Sequence, residues 1–174
     1  MAWVERLAAA VSWRSQDLEI LWDDIEQRLG VELPGDFKAF CQCFGQGQFS
    51  GYLEVYSSSG GDSLVAFDKL RRFGGMAEQH AVVRHIYEPY GLFRSGGQGL
   101  LPWGISVTAA EYYWLASADG RPDDWPVVAR EDGGEWKIYQ MPMSEFVYRV
   151  LVDVSMEDFG IADLVHVPFY QPDS

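Results

Sequence analysis

The chain opens on an amphipathic stretch. Over residues 2–13 the apolar positions Trp3, Leu7, Ala10 and Val11 recur at helical spacing, so one stripe of a first helix faces a core. A second stripe, Leu18, Leu21, Trp22, Ile25 and Leu29, follows Ser15 or Asp17, either of which can cap a second helix, and Gly30 ends it. Leu33-Pro34 restarts the chain. Pro34 suits the first turn of a third helix and Asp36 its positive end, while Phe37, Phe40, Cys41 and Phe44 form the apolar face before Gly45. Phe49 to Tyr56 then reads as a strand and residues 76–87 as a helix closed by Pro89 and Gly91; residues 64–73 fit neither pattern. Further on the period falls to two. Ile105 to Thr108, Glu111 to Ser117, Trp125 to Arg130 and Glu135 to Tyr139 predict successive strands, the last three joined by the turns DGRPDD and EDGG. Within the aromatic run, Tyr112 and Trp114 share one face of their strand and Tyr113 takes the other. Ser144 can cap a last helix with the stripe Phe146, Val147, Val150, Leu151 and Val154. Residues 164–170 read as an edge strand, because Pro168 cannot donate to a ladder. This order predicts an α+β fold: a central, mostly antiparallel sheet of about five or six strands, with the N-terminal and C-terminal helices packed on one face or end.

Length and charge narrow the picture. The 174 residues carry no repeat, low-complexity segment or linker, so residues 1–174 are expected to form a single domain. Aromatic residues make up 15% of the chain, which points to a core built from large side chains. The formal net charge is -13. Such acidity argues against nucleic acid and anionic membranes as partners, since both are gripped by Lys and Arg. It favours a basic protein partner, with plain solubility as the alternative reading. No stretch approaches the ~20 apolar residues of a membrane span, and the first residues do not form a signal peptide, so a cytoplasmic location is expected. Cys41 and Cys43, two positions apart, read as small core residues of a reducing compartment.

The chemistry-bearing residues do not assemble into a catalytic pattern. His80 and His85 lie off a shared helical face and His166 is distant, so neither a metal site nor a cofactor is expected. SSSGG is no nucleophile elbow, and the glycines of FGQGQFSG follow a helix and precede a strand, the reverse of a phosphate loop. The acid pairs Asp23-Asp24, Asp123-Asp124 and Glu131-Asp132 are read as solvated turns, and no residue is assigned a catalytic role. One region stands apart. Asp119, Asp123, Asp124, Glu131, Asp132 and Glu135 crowd two hairpin tips against only Arg121 and Arg130, and these six acids are the candidates for touching a partner. Trp125 and Trp136 beside them are expected to point inward.

The segment LWDDIEQRLGVELPGDFKAFCQCFGQGQF resembles the opening of the SUKH superfamily, which includes fungal cell-wall-synthesis regulators and many bacterial immunity proteins. Trp22, Ile25, Glu26, Leu29, Gly30, Leu33, Pro34, Asp36, Phe37, Gly45 and Gly47 match its order. Leu101, Pro102, Trp103 and Gly104 match its Leu-Pro-Trp-Gly turn, and Trp114 the end of its aromatic strand. The likeness runs over residues 17–152, with the first helix and the tail from Ser155 as additions. It departs at Thr108-Ala109-Ala110-Glu111, where relatives often carry a glycine and an acid. The resemblance implies a binding fold rather than an enzyme, with the signature residues mainly structural. It also implies an immunity-type inhibitor of a bacterial polymorphic toxin, such as a basic nuclease domain. The alternative it leaves is a regulatory or scaffolding adaptor for an endogenous protein.

Overall fold

The computed structural model describes residues 2–174. Six helices and seven strands follow in the order α1 (Trp3–Ala10), α2 (Trp22–Leu29), α3 (Gly35–Phe44), β1 (Gly47–Phe49), β2 (Leu53–Val55), α4 (Val65–Gln79), α5 (Ala81–His85), β3 (Gln98–Ser106), β4 (Glu111–Ser117), β5 (Val127–Arg130), β6 (Lys137–Tyr139), α6 (Met143–Val152) and β7 (Tyr170–Pro172). The strands form one antiparallel sheet in the order β6-β5-β4-β3-β2-β1-β7. The fold is α+β, with slightly more strands than the pattern predicts. The surplus has one source: Ser50 and Gly51, both at positive φ, fold the Phe49–Tyr56 stretch into the β1–β2 hairpin, while the expected tail strand forms a little later in the chain, as β7 beside β1.

The central strands β3, β4 and β5 are buried on both faces. Leu101, Trp103, Tyr112, Trp114, Val127 and Ala129 join the core formed with α1, α3 and α6, where Phe37, Phe40, Phe44, Phe146 and Val150 are inaccessible. On the other face Leu100, Tyr113 and Val128 pack under Tyr87, with Phe73, Val83 and Tyr90 around them. The alternation expected for Tyr112, Tyr113 and Trp114 therefore holds, with all three rings buried on a sheet that has two cores.

Several local expectations are corrected. Ser15 and Asp17 do not cap α2: they bond each other at 2.6 Å. Residues 12–20 instead lie along α3, with the Leu18 N–H donating to the Gln42 carbonyl at 3.0 Å. Leu21, assigned to the stripe, precedes α2 and is half exposed, and Val154 lies beyond α6, exposed. Of the ambiguous residues 64–73, all but the extended Leu64 belong to α4, which runs through Gly74-Gly75, while the helix expected over 76–87 is broken by extended backbone at His80. Residues 164–169 form no strand; only Tyr170–Pro172 pairs. The largest correction concerns Leu101 to Gly104, which form no turn before a strand. They lie inside β3, and the register with β4 slips between Pro102 and Gly104. That bulge is how a proline sits in an interior strand: its missing N–H falls where the ladder is already interrupted. Trp103, at the slip, is wholly buried and stacks on Tyr112 at 5.2 Å.

Candidate functional site

All six acids singled out from the sequence are exposed, but the chain separates them into two sets. Asp119, Asp123 and Asp124 lie on the β4–β5 loop; Glu131, Asp132 and Glu135 lie on the β5–β6 loop. These loops sit at opposite ends of β5, roughly 13 Å apart at the usual rise per residue. The sets also differ in employment. Asp123 Oδ1 accepts the Gly35 N–H at 2.7 Å, closing the N-terminus of α3 from across the chain. Asp124 takes the Arg121 guanidinium in two bonds of 2.8 and 3.0 Å. Asp119, Glu131, Asp132 and Glu135 form no ion pair among the described residues.

The β5–β6 loop has a fixed root. Arg130, almost fully buried, donates from Nε to Glu111 Oε2 at 2.6 Å and from an Nη to the Ile86 carbonyl at 2.6 Å. The Tyr113 hydroxyl donates to the other Glu111 oxygen at 2.9 Å. The Arg130 guanidinium lies 4.0 Å from the Trp136 ring, whose indole N–H donates to the Glu88 carbonyl at 2.9 Å. Three exposed carboxylates thus ride on a turn clamped at both ends. Sequence reasoning missed this anchor. Its only signal is a lone arginine ending an apolar strand opposite a lone glutamate beginning one. Between the two loops runs β6, the outer strand of the sheet, where Ile138 is half exposed.

The signature residues form a scaffold. Trp22 meets Phe37 edge-on at 6.2 Å, and Phe37 meets Trp114 edge-on at 4.9 Å, tying α2 and α3 to the sheet. Ile25 and Leu33 are buried beneath them. Glu26 accepts the Leu33 N–H at 2.7 Å and pairs with Lys38, fixing the α2–α3 connection; Pro34 stands at the N-cap of α3. Gly30 caps α2 at φ +76, and a side chain there would strike Ser95. Gly45 closes α3 and Gly47 opens β1. Gly104 admits the Glu54 carbonyl, which would lie 2.8 Å from a Cβ. Asp36 reaches α6: its Oδ2 accepts the Ser144 N–H and hydroxyl, each at 3.0 Å. Ser144 is thus the donor to a cap supplied by α3, not the cap expected of it. Burial pushes the Asp36 carboxyl above its ordinary pKa, and the two Ser144 bonds offset only part of that.

Reactive groups are placed differently. Burial pushes the Cys41 thiol up to about 12, so it stays protonated at neutral pH. His85 pairs with Glu88 at 2.6 Å on the open surface. A cleft of about 600 Å³ between α4 and residues 84–95 has neither histidine nor cysteine in its lining. Among the described residues no group of three His, Cys, Asp or Glu side chains is placed to hold a metal ion. No helix among them is long and apolar enough to cross a membrane.

A family model described as SMI1-KNR4 cell-wall, of the SUKH group, matches residues 19–146, nearly the whole span of the recognised signature. No curated protein and no solved structure matches the chain.

Proposed function

The chain belongs to the SMI1-KNR4 cell-wall family, and from that membership we propose that it is a non-enzymatic protein-binding domain. In this reading it is an immunity-type inhibitor that neutralises a basic bacterial toxin domain such as a nuclease. One observation carries the placement of its interface. The exposed edge of the sheet, β6 with Ile138, is flanked by the two acidic loops. An exposed isoleucine between carboxylate tips, with Lys137 beside it held by Asp158, gives an apolar centre and a charged rim. A standard footprint of roughly 800 Å² per partner spans both loops at once. The net charge of -13 steers a basic domain toward it. The clamp on the β5–β6 loop keeps three of the carboxylates in place before the partner arrives, which lowers the ordering cost of association.

The test uses stopped-flow association with a purified basic toxin domain encoded beside this chain's gene. The variant Asp119→Lys/Glu131→Lys/Asp132→Lys/Glu135→Lys spares Asp123, which holds α3. Association should slow by about tenfold or more and lose most of its salt dependence. An unchanged rate removes the acidic loops from the interface. Absence of such a gene, with specific capture of an endogenous protein instead, favours a regulatory adaptor.

A further inference from the structure

The cleft between α4 and residues 84–95 reverses the charge of the molecule. Four of the ten arginines line it, Arg28, Arg71, Arg84 and Arg94, against a single acid, Glu78. Its floor is apolar, with Phe67, Leu70, Leu92 and Phe93. Arg28 is the most committed: it donates to the Asp24 and Asp62 carbonyls and lies over the Phe67 ring. Its ion pair with Asp62 and that of Arg94 with Glu78 are both 3.8 Å long and largely exposed. Such surface pairs contribute little, so a ligand carboxylate replaces them at small cost. Arg71 is exposed and in no ion pair among the described residues, and Arg84 uses only its Nε, on the Ala77 carbonyl. The walls carry Gly74, Gly75 and Gly91, where a side chain would meet nothing within 4 Å, so the cleft stays open along one side.

We propose that this cleft is a docking site for an acidic segment of a protein partner, carboxylates flanking a large apolar side chain. The inference rests on the chain being a protein-binding domain and adds a second surface of opposite sign to its acidic edge. Guanidinium forks match carboxylates, and the apolar floor takes the anchoring side chain. The helices choose between a peptide and a phosphate ligand. The lining includes the last turn of α2 and α4 from Phe67 to Glu78, and the first N–H groups of α4, of Val65 and Ala66, are taken by the Ser57 and Tyr56 carbonyls. Helix C-termini present free carbonyls, not the N–H groups that cradle phosphate. A peptide brings N–H donors for those carbonyls together with carboxylates for the arginines, whereas a phosphate brings only acceptors.

Fluorescence anisotropy tests the assignment on the full chain. The probe is a labelled synthetic peptide with glutamates around a phenylalanine and a leucine, paired with its glutamine counterpart. The glutamate peptide should bind, and the glutamine peptide should bind at least about tenfold more weakly. Arg71→Glu/Arg94→Glu, at two exposed positions, should weaken the glutamate peptide by at least that factor with unchanged thermal unfolding. Arg71→Gln/Arg94→Gln should lie between. No binding by the wild type, equal binding of the two peptides, or an unchanged double variant overturns the proposal. So does displacement of the peptide by inorganic phosphate or ATP at lower concentration than by unlabelled peptide, which marks a small-anion site. The acid-to-lysine variant of the edge loops separates the two surfaces. It should keep peptide binding, and Arg71→Glu/Arg94→Glu should keep its association with the basic toxin domain. If peptide binding depends on the arginines while the loop variant associates normally, the cleft stands and the edge does not.

Discussion

Asp36 holds α6 with a partly buried carboxyl, so its contribution depends on pH. Burial raises its pKa in the folded protein, whereas the unfolded chain leaves it at the ordinary value of 3.8. The folded state therefore takes up the proton first, and stability attributable to this group grows as pH falls from neutrality toward 3.8. An amide keeps an acceptor for Ser144 and removes the charge. Asp36→Asn should be more stable than the wild type at pH 7, and the gap should close as pH is lowered, as read by urea unfolding at several pH values. Asp36→Ala loses both bonds and should cost about 1–2 kcal/mol. Asp123 teaches the matching lesson about reading acids from sequence. Its exposure is what an acidic turn predicts, but its bond to Gly35, 88 residues away, is invisible without the fold. The same holds for Arg130 and Glu111, which sit at the ends of neighbouring strands and meet only once β4 and β5 are in register.

At the scale of elements, the hairpin β3–β4 turns where relatives often carry glycine, and here Ala109 takes the left-handed conformation at φ 62. The Ala109 and Ser106 N–H groups close the turn onto Ser106 and Ala110 carbonyls, so the geometry survives the loss of glycine at a conformational cost. Ala109→Gly should stabilise the protein by about 1 kcal/mol in denaturant unfolding, since the side chain is exposed and contributes strain. The helices α3 and α6 are legible in the sequence because each buries a full apolar stripe, and α1 because its two buried residues, Val4 and Leu7, fall within eight residues. α4 is not: of its fifteen residues only Ala66 and Ala77 are buried, and Arg71-Arg72 and Gly74-Gly75 interrupt the stripe. A helix half out of the core writes half a pattern. β3 hides for a different reason. Pro102 argues against an interior strand, and only the bulge at Trp103 reconciles the two. The cleft is illegible in the sequence because its arginines come from α2, α4 and residues 84–95, and no local spacing links them.

The whole molecule distributes charge and closure unevenly. An acidic exterior surrounds one arginine-lined cleft, and screening over roughly 8 Å at physiological ionic strength lets the two fields act separately. Closure depends on the tail. Tyr170 begins β7 and is buried, its hydroxyl donating to the Phe44 and Gly45 carbonyls at 3.0 and 3.3 Å. Its ring meets Trp13 at 4.7 Å and Phe49 at 4.8 Å. Tyr170→Ala should cost about 3 kcal/mol, and Tyr170→Phe about 1 kcal/mol, in urea unfolding. Tyr170→Ala should also self-associate on size-exclusion chromatography as the β1 edge opens.

That edge has a history during synthesis. Every other neighbour pair in the sheet joins strands consecutive in the chain, so each pair completes soon after it leaves the ribosome. β1 must wait for a partner made more than a hundred residues later, 126 positions after Phe44 in the case of Tyr170. At ≈ 5–20 residues per second, the edge beside Phe49 stays open for roughly ten seconds. The nascent chain therefore passes through a stage in which a nearly finished sheet leaves the outer side of β1 unpaired, and chaperone capture should concentrate there.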